Sequence, residues 1–140
     1  MAQEPIQYWL IKSEPHKYSW EQFEKDKLTF WDGVRNYLAR NNLREMKVGD
    51  LCMYYHSNEG KEVVGIAEVV RESYQDPTTD DQNWVVVDVK PVQKLKMPVS
   101  LATMKADPRL QGIELIRMSR LSVSKLKKDE FDIILSLSES

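Results

Sequence analysis

The sequence predicts an α+β domain in which several short strands, threaded by short helices, build a small curled sheet or barrel. Three observations carry this expectation. Runs rich in β-branched and aromatic residues recur along the chain, bounded by Gly, Pro and Asp. Helical apolar spacing appears only in short windows between those runs. No repeat, linker or low-complexity stretch divides the 140 residues, which predicts a single domain over residues 1–140. A chain of that length buries roughly two thirds of its unfolded surface without disulfides.

The elements follow in order. Gln7-Tyr8-Trp9-Leu10-Ile11-Lys12 reads as a first strand, stopped by Pro15. Ser19 and Gln22 have capping-box spacing at the start of a helix, where Trp20 and Phe23 form an apolar stripe that assigns both to the core. Trp9 and Phe30 are also assigned to the core. A second helix is expected over residues 34–43, with Val34, Leu38 and Tyr37 facing inward and Asn41-Asn42 weakening its end. Gly49-Asp50 turns the chain into a strand over 51–56, and Asn58-Glu59-Gly60 joins this to a strand over 63–70 as a hairpin. A polar loop over 74–83 leads to a strand over 84–89, and Pro91, which lacks a donor for the ladder, marks an irregularity. Ser100 caps a helix over 101–106 that Pro108 ends. A short strand over 121–123 precedes a terminal helix over 127–137, with Phe131, Ile134 and Leu135 on one face.

Composition excludes several classes of function. One cysteine, Cys52, and two histidines, His16 and His56, cannot close a zinc site, so no metal is expected. Neither a dinucleotide nor a triphosphate glycine loop occurs, and no nucleophile elbow is present, which predicts no cofactor. Apolar runs such as Val85-Val86-Val87 are too short to span a bilayer, so no membrane partner is expected. The residues from Met1 to Ile6 lack the basic and apolar regions of a secretory signal, which predicts a cytoplasmic location, nuclear in a eukaryote. Cys52 reads as a small core side chain in a reducing compartment. A net charge of −2 argues against coating nucleic acid by bulk electrostatics, so any such contact must be local. Basic residues gather at Arg35, Arg40, Arg44 and Lys47, and again between Arg117 and Lys128. A solvated face balanced by nearby acids is the alternative reading of both groups.

Three segments carry the material of a pocket. Trp31-Asp32-Gly33-Val34-Arg35-Asn36 lies between extended stretches, Lys12-Ser13-Glu14-Pro15 ends the strand before it, and Tyr54-Tyr55-His56-Ser57 ends the strand after it. A flat indole, a glycine that admits close backbone approach, an amide and several hydroxyls suit recognition of a planar heterocycle. Each residue also has a structural reading. Trp31 could be a core indole, Asn36 a helix cap, Ser13 a partner of the next turn and His56 a local strand-end bond. Strand alternation places Tyr55 opposite to Tyr54 and His56, so the three cannot line one cavity.

Six ordered segments carry a resemblance: residues 8–15, residues 31–37 with Ala39-Arg40-Asn41, residues 46–50, residues 54–57, residues 64–69 and Pro98-Val99-Ser100-Leu101. Together, and in register over nearly the whole chain, they resemble the EVE domain family. The resemblance implies a PUA-like fold, a small curled β-barrel with short flanking helices, related to YTH domains that bind modified adenine in RNA. It implies a reader of modified bases, chiefly 5-substituted cytosine in DNA, with a modified RNA base as the other option. By motif position, Trp31 would be the stacking ring and Ser13 and Asn36 polar groups at the base edge, with Lys12, Gly33, Val34, Tyr55, His56 and Ser57 around them. Trp84 is similar in placement to a second cage wall. The chain departs from the pattern at Leu38, where many relatives have glutamine, and at Lys127, where a small capping residue is usual.

Energetics define what such a pocket needs. Stacking a base on a ring contributes about 1–3 kcal/mol, while extruding it from a duplex costs a few. Affinity for DNA therefore requires phosphate contacts, for which Arg35, Arg40, Arg117 and Arg120 are the candidates. The leading expectation is a non-catalytic module that binds nucleic acid carrying a modified base. One alternative is a PUA-like hydrolase acting on a modified nucleoside, with Lys12, Glu14 and His56 as acid and base groups. A protein-interaction domain in RNA processing is the other.

Overall fold

Alternation along the central strands dictates a sheet covered on both faces. In β1 (Tyr8–Ser13), Trp9 and Ile11 point one way and Leu10 the other. In β3 (Leu51–His56), Cys52 and Tyr54 join the first side while Met53 and Tyr55 join the second. A strand buried on both faces reads as a continuous apolar run, which is how these two segments are written. The computed structural model describes residues 6–139 apart from Gly33, Asn58, Glu59 and Ser119.

Among the described residues the sheet contains six strands, with β2 (Thr29–Phe30), β4 (Glu62–Gln75), β5 (Val85–Ser100) and β6 (Val123–Leu126) completing the order β2-β5-β4-β3-β1-β6. β1 and β3 pair in parallel, with Trp9 opposite Cys52, and the remaining pairs are antiparallel. No ladder joins β2 to β6 among the described residues, so the sheet is open and the closed barrel expected from the sequence is not what the pairings draw. Curl comes instead from register shifts along β4 and β5, one of them between Ile66 and Ala67, whose partners are Gln93 and Pro91. Pro91 thus marks an irregularity, as expected, yet β5 runs through it rather than ending.

Among the described residues, five α-helices cover the faces. α1 (Trp20–Asp26) buries Trp20 and Phe23 and α2 (Tyr37–Glu45) buries Ala39 and Leu43 on the first side. α3 (Leu101–Ala106), α4 (Glu114–Arg117) and α5 (Lys128–Leu137) bury Met104, Leu115, Phe131 and Ile134 on the second. Ser19, Asn36 and Ser100 each accept a backbone N–H at a helix start. Helix α2 begins later than expected, and its Tyr37 and Leu38 are exposed rather than inward-facing. The short strand expected over 121–123 lies instead at β6. No helix among the described residues is long and apolar enough to cross a membrane.

Two close contacts fix the centre. Gly65 on β4 lies against the Trp20 ring, where an added Cβ would stand 2.4 Å from the nearest ring carbon. Asp50 is buried at the turn before β3 and accepts from Trp9 Nε1 and from the Gln7 and Lys47 backbone N–H groups, each at 2.9 Å. That carboxylate ties the first strand to the turn that launches its parallel partner.

Candidate functional site

A parallel strand pair ends with both chains diverging on the same side, which leaves a crevice beyond their carboxyl ends. Here β1 and β3 end together, and Ser57 N–H donates to the Ser13 carbonyl at 2.9 Å. A cavity of about 730 Å³ opens at this point. Lys12, Ser13 and Glu14 reach it from β1, Lys17 and Tyr18 from the turn, Thr29 to Asp32 from β2 and its continuation, Ser57 from the end of β3, and Arg120 and Ser122 from the approach to β6.

Trp31 is held in the wall from both backbone and ring. Its N–H donates to the Val87 carbonyl at 2.8 Å, extending the β2–β5 ladder. The indole meets Tyr54 at 5.4 Å and Tyr18 at 6.3 Å, both edge to face. Only 7% of Trp31 is exposed, and it lines the cavity. Beneath it, the Ser13 and Tyr54 hydroxyls both donate to the Tyr18 carbonyl at 2.8 Å. Burial pushes the Tyr54 phenol well above its ordinary range, so it remains a donor. Burial and a hydrogen bond to Asp26 raise Tyr18 to about 12. Burial also lowers the Lys12 ammonium below the ordinary lysine range.

The arrangement offers an aromatic wall, hydroxyls and a rim of mixed charge. Lys12, Lys17 and Arg120 supply cations and Glu14 and Asp32 supply anions. Among the described residues there is no group of three or more His, Cys, Asp or Glu placed to hold a metal ion. A wider cleft of about 1580 Å³ lies elsewhere, at the amino end of β3, lined by Arg44, Lys47, Lys125 and Lys128 with Glu45 and Glu72. It mixes Ile6, Tyr8, Val48 and Leu126 with charges of both signs and has no tryptophan in its lining, so the smaller cavity with its Trp31 wall suits a planar guest better.

Comparison with known proteins agrees with the six sequence segments. The EVE domain model matches residues 7–137. The chain belongs to the EVE domain family. Thymocyte nuclear protein 1 of Gallus gallus is 37% identical, over 94% of this chain and 69% of that protein. A Rhodopseudomonas palustris protein solved by NMR superposes with a TM-score of 0.91 at 45% identity, covering 96% of this chain and 94% of the other. The human THYN1 protein in complex with 5-methylcytosine-containing DNA superposes with a TM-score of 0.89 at 34% identity, covering 96% of this chain and 98% of that one.

In this EVE domain, five of the residues expected at the site converge on the cavity: Lys12, Ser13, Trp31, Ser57 and Arg120. Others stand apart. Asn36 caps α2, accepting from Ala39 N–H at 3.0 Å, and Val34 is buried in the first core cluster. Tyr55 points into the second core cluster because strand alternation sends it away from Tyr54. Trp84 is not a wall beside Trp31; it stacks on Tyr37, with ring centroids 5.1 Å apart. Arg35 pairs with the buried Asp76 at 3.1 Å, Arg40 lies over the Tyr37 ring, and Arg117 is exposed at the end of α4. Gly33 lies outside the described residues.

Sequence reasoning missed Tyr18, Phe30 and Lys17. Phe30, expected in the core, is 40% exposed and lines the cavity, because β2 is a two-residue edge strand with only one neighbour. The signal for Tyr18 and Lys17 was the turn after Pro15, which folds residues back over the strand end.

His56 does not line the cavity. Its Nε2 accepts from Trp20 N–H at 3.1 Å, an arrangement that requires a neutral ring, and burial lowers its pKa. The folded-state value lies below the unfolded one, so this contribution to stability is complete above about pH 6.5 and is lost as pH falls through the folded pKa. Urea unfolding between pH 8 and 5 should show stability falling in that window, and His56→Gln should flatten the fall. An unchanged pH profile in the variant would assign the loss to other groups.

Proposed function

We propose that this protein binds DNA carrying a modified base, 5-substituted cytosine first, and accepts the extruded base against Trp31 without transforming it. The observation that carries this reading is the cavity at the paired ends of β1 and β3, walled by Trp31, Tyr18 and Phe30. Its volume of about 730 Å³ falls within the roughly 300–1,000 Å³ of small-molecule pockets. Ser57 offers a hydroxyl and Ser13, whose proton is held by the Tyr18 carbonyl, an acceptor oxygen to the edge of a base, and Lys12, Arg120 and the Glu14-paired Lys17 offer cations to the phosphates on either side. The likeness to the human THYN1 protein bound to 5-methylcytosine-containing DNA supports both the polymer and the base. The name thymocyte nuclear protein supports the nucleus as the compartment in a eukaryotic cell.

The test is a titration of modified and plain oligonucleotides, single and double stranded, at two ionic strengths, with recovery of the ligand afterwards. A buried methyl group should favour the modified base by about 10- to 200-fold. Affinity should fall with salt by a slope of about −0.9 per duplex phosphate neutralised. Equal binding of plain and modified DNA would remove the reader assignment. Tighter binding of a modified RNA would change the polymer, and a hydrolysed product would replace the reading with an enzyme using Lys12 and Glu14.

A further inference from the structure

We infer that the ring pair of exposed Tyr37 and half-buried Trp84, capped by the Arg40 and Arg35 guanidiniums, is a second nucleic-acid contact whose guanidinium-capped outer side stacks an unpaired base and holds the adjacent phosphate. This deepens the base-reader assignment and rests on it for the arrival of the strand. The pair is built from two distant segments. Tyr37 opens α2, while Trp84 closes the loop over residues 76–84 through its carbonyl, which accepts from Asp76 N–H at 2.9 Å. The rings lie nearly parallel at 29°. The Arg40 guanidinium stands 4.9 Å from the Tyr37 ring centre and that of Arg35 stands 5.5 Å from Trp84.

The group is held in place and also open to solvent. Asp76 is fully buried, accepts from Thr78 N–H at 2.7 Å and fixes Arg35 at 3.1 Å. Arg40 donates to the Asn41 side chain at 2.8 Å and to the Asn83 carbonyl, both neutral partners that leave its charge in place. Tyr37 is 60% exposed. Preset rings and guanidiniums lose little freedom when a base settles on them, and aromatic faces with arginine are the usual means of holding a single strand. Charge favours an anionic strand, because Arg40 keeps neutral partners and Arg44, one turn along α2, adds an exposed cation on the same helix face.

Position favours it as well. Trp84 lies three residues before Val87, whose carbonyl receives Trp31 N–H. Three extended residues span about 10 Å, close to three stacked nucleotides at about 3.4 Å each. The ring pair and the cavity are thus tied to neighbouring stretches of one backbone, within reach of a single strand a few nucleotides long.

The experiment uses two probes, free 5-methyl-2′-deoxycytidine and a single-stranded oligonucleotide carrying one 5-methylcytosine, against the full chain. Tyr37→Ala and Tyr37→Leu should each lower oligonucleotide affinity by about tenfold. Nucleoside affinity should stay within about twofold, because one removed ring touches only the neighbouring base. Arg40→Gln should reduce the salt slope by about 0.7. Tyr37→Leu keeps apolar cover over Trp84, so full affinity in that variant means the ring is structural and overturns the inference. Full affinity in Tyr37→Ala, an unchanged slope in Arg40→Gln, or a wild-type chain that binds no oligonucleotide does the same. If the nucleoside fails to bind while oligonucleotide affinity still needs Tyr37, the cavity reading fails and the second contact stands.

Discussion

Gly65→Ala is expected to destabilise the fold by about 3 kcal/mol or more, at the upper end for adding one carbon to a packed core. The added Cβ would stand 2.4, 2.5 and 2.6 Å from three carbons of the Trp20 ring, well inside any contact distance. The indole has no open side to move into. Trp20 is fully buried and packs edge to face on Phe23 at 5.5 Å and on Tyr54 at 5.3 Å. Displacement would also pass to the site, because Tyr54 in turn supports Trp31. Urea unfolding should therefore report the loss, and Gly65→Ala with Trp20→Leu should recover part of it through relief of the clash. If the single variant lies within about 1 kcal/mol of the parent, β4 can shift away from α1 and the close approach is not a constraint.

Trp31 carries the second large effect. Trp31→Ala removes a ring that is 7% exposed within the first core cluster, so a stability loss of about 3–5 kcal/mol is expected alongside the loss of stacking. That variant alone cannot separate a lost ligand contact from a collapsed wall. Trp31→Leu fills most of the space and offers no π-face, so it should fold with a smaller loss. It should bind the modified nucleoside more weakly by the 1–3 kcal/mol of stacking, roughly 5- to 150-fold. Tryptophan-independent calorimetry is the suitable readout. Wild-type affinity in Trp31→Leu would sink the stacking assignment.

The strands and caps were legible because each is a local decision. The run over 51–56 has apolar residues at nearly every place, Ser100 stands three residues before the N–H it caps, and Trp20 with Phe23 fixes the inner face of α1. Much of the cavity was legible too, since Lys12, Ser13 and Ser57 end neighbouring strands and Trp31 continues a third. What was not legible depends on contacts between distant residues. Asn36 fits a ligand role and a cap equally well until its distance to Ala39 N–H is known. Trp84 was drawn towards Trp31 by its type, whereas Tyr37, forty-seven positions earlier, decides where it lies. Tyr37 and Leu38 read as core by their apolar spacing, but α2 starts at Tyr37 and turns its Ala39 and Leu43 face to the sheet. The closed barrel failed for a similar reason. Closure is a property of the two outermost strands, and β2 with its two residues is too short to be seen in the sequence.

β1 is flanked by β3 and β6, and Tyr8 pairs with Leu126. During synthesis, one side of that strand has no ladder partner until the residues of β6 have left the ribosome. Arg120 and Ser122 arrive with β6 and complete the cavity rim only then. A polypeptide cut before residue 120 would leave that edge of β1 unpaired and the cavity without the side that Arg120 and Ser122 form.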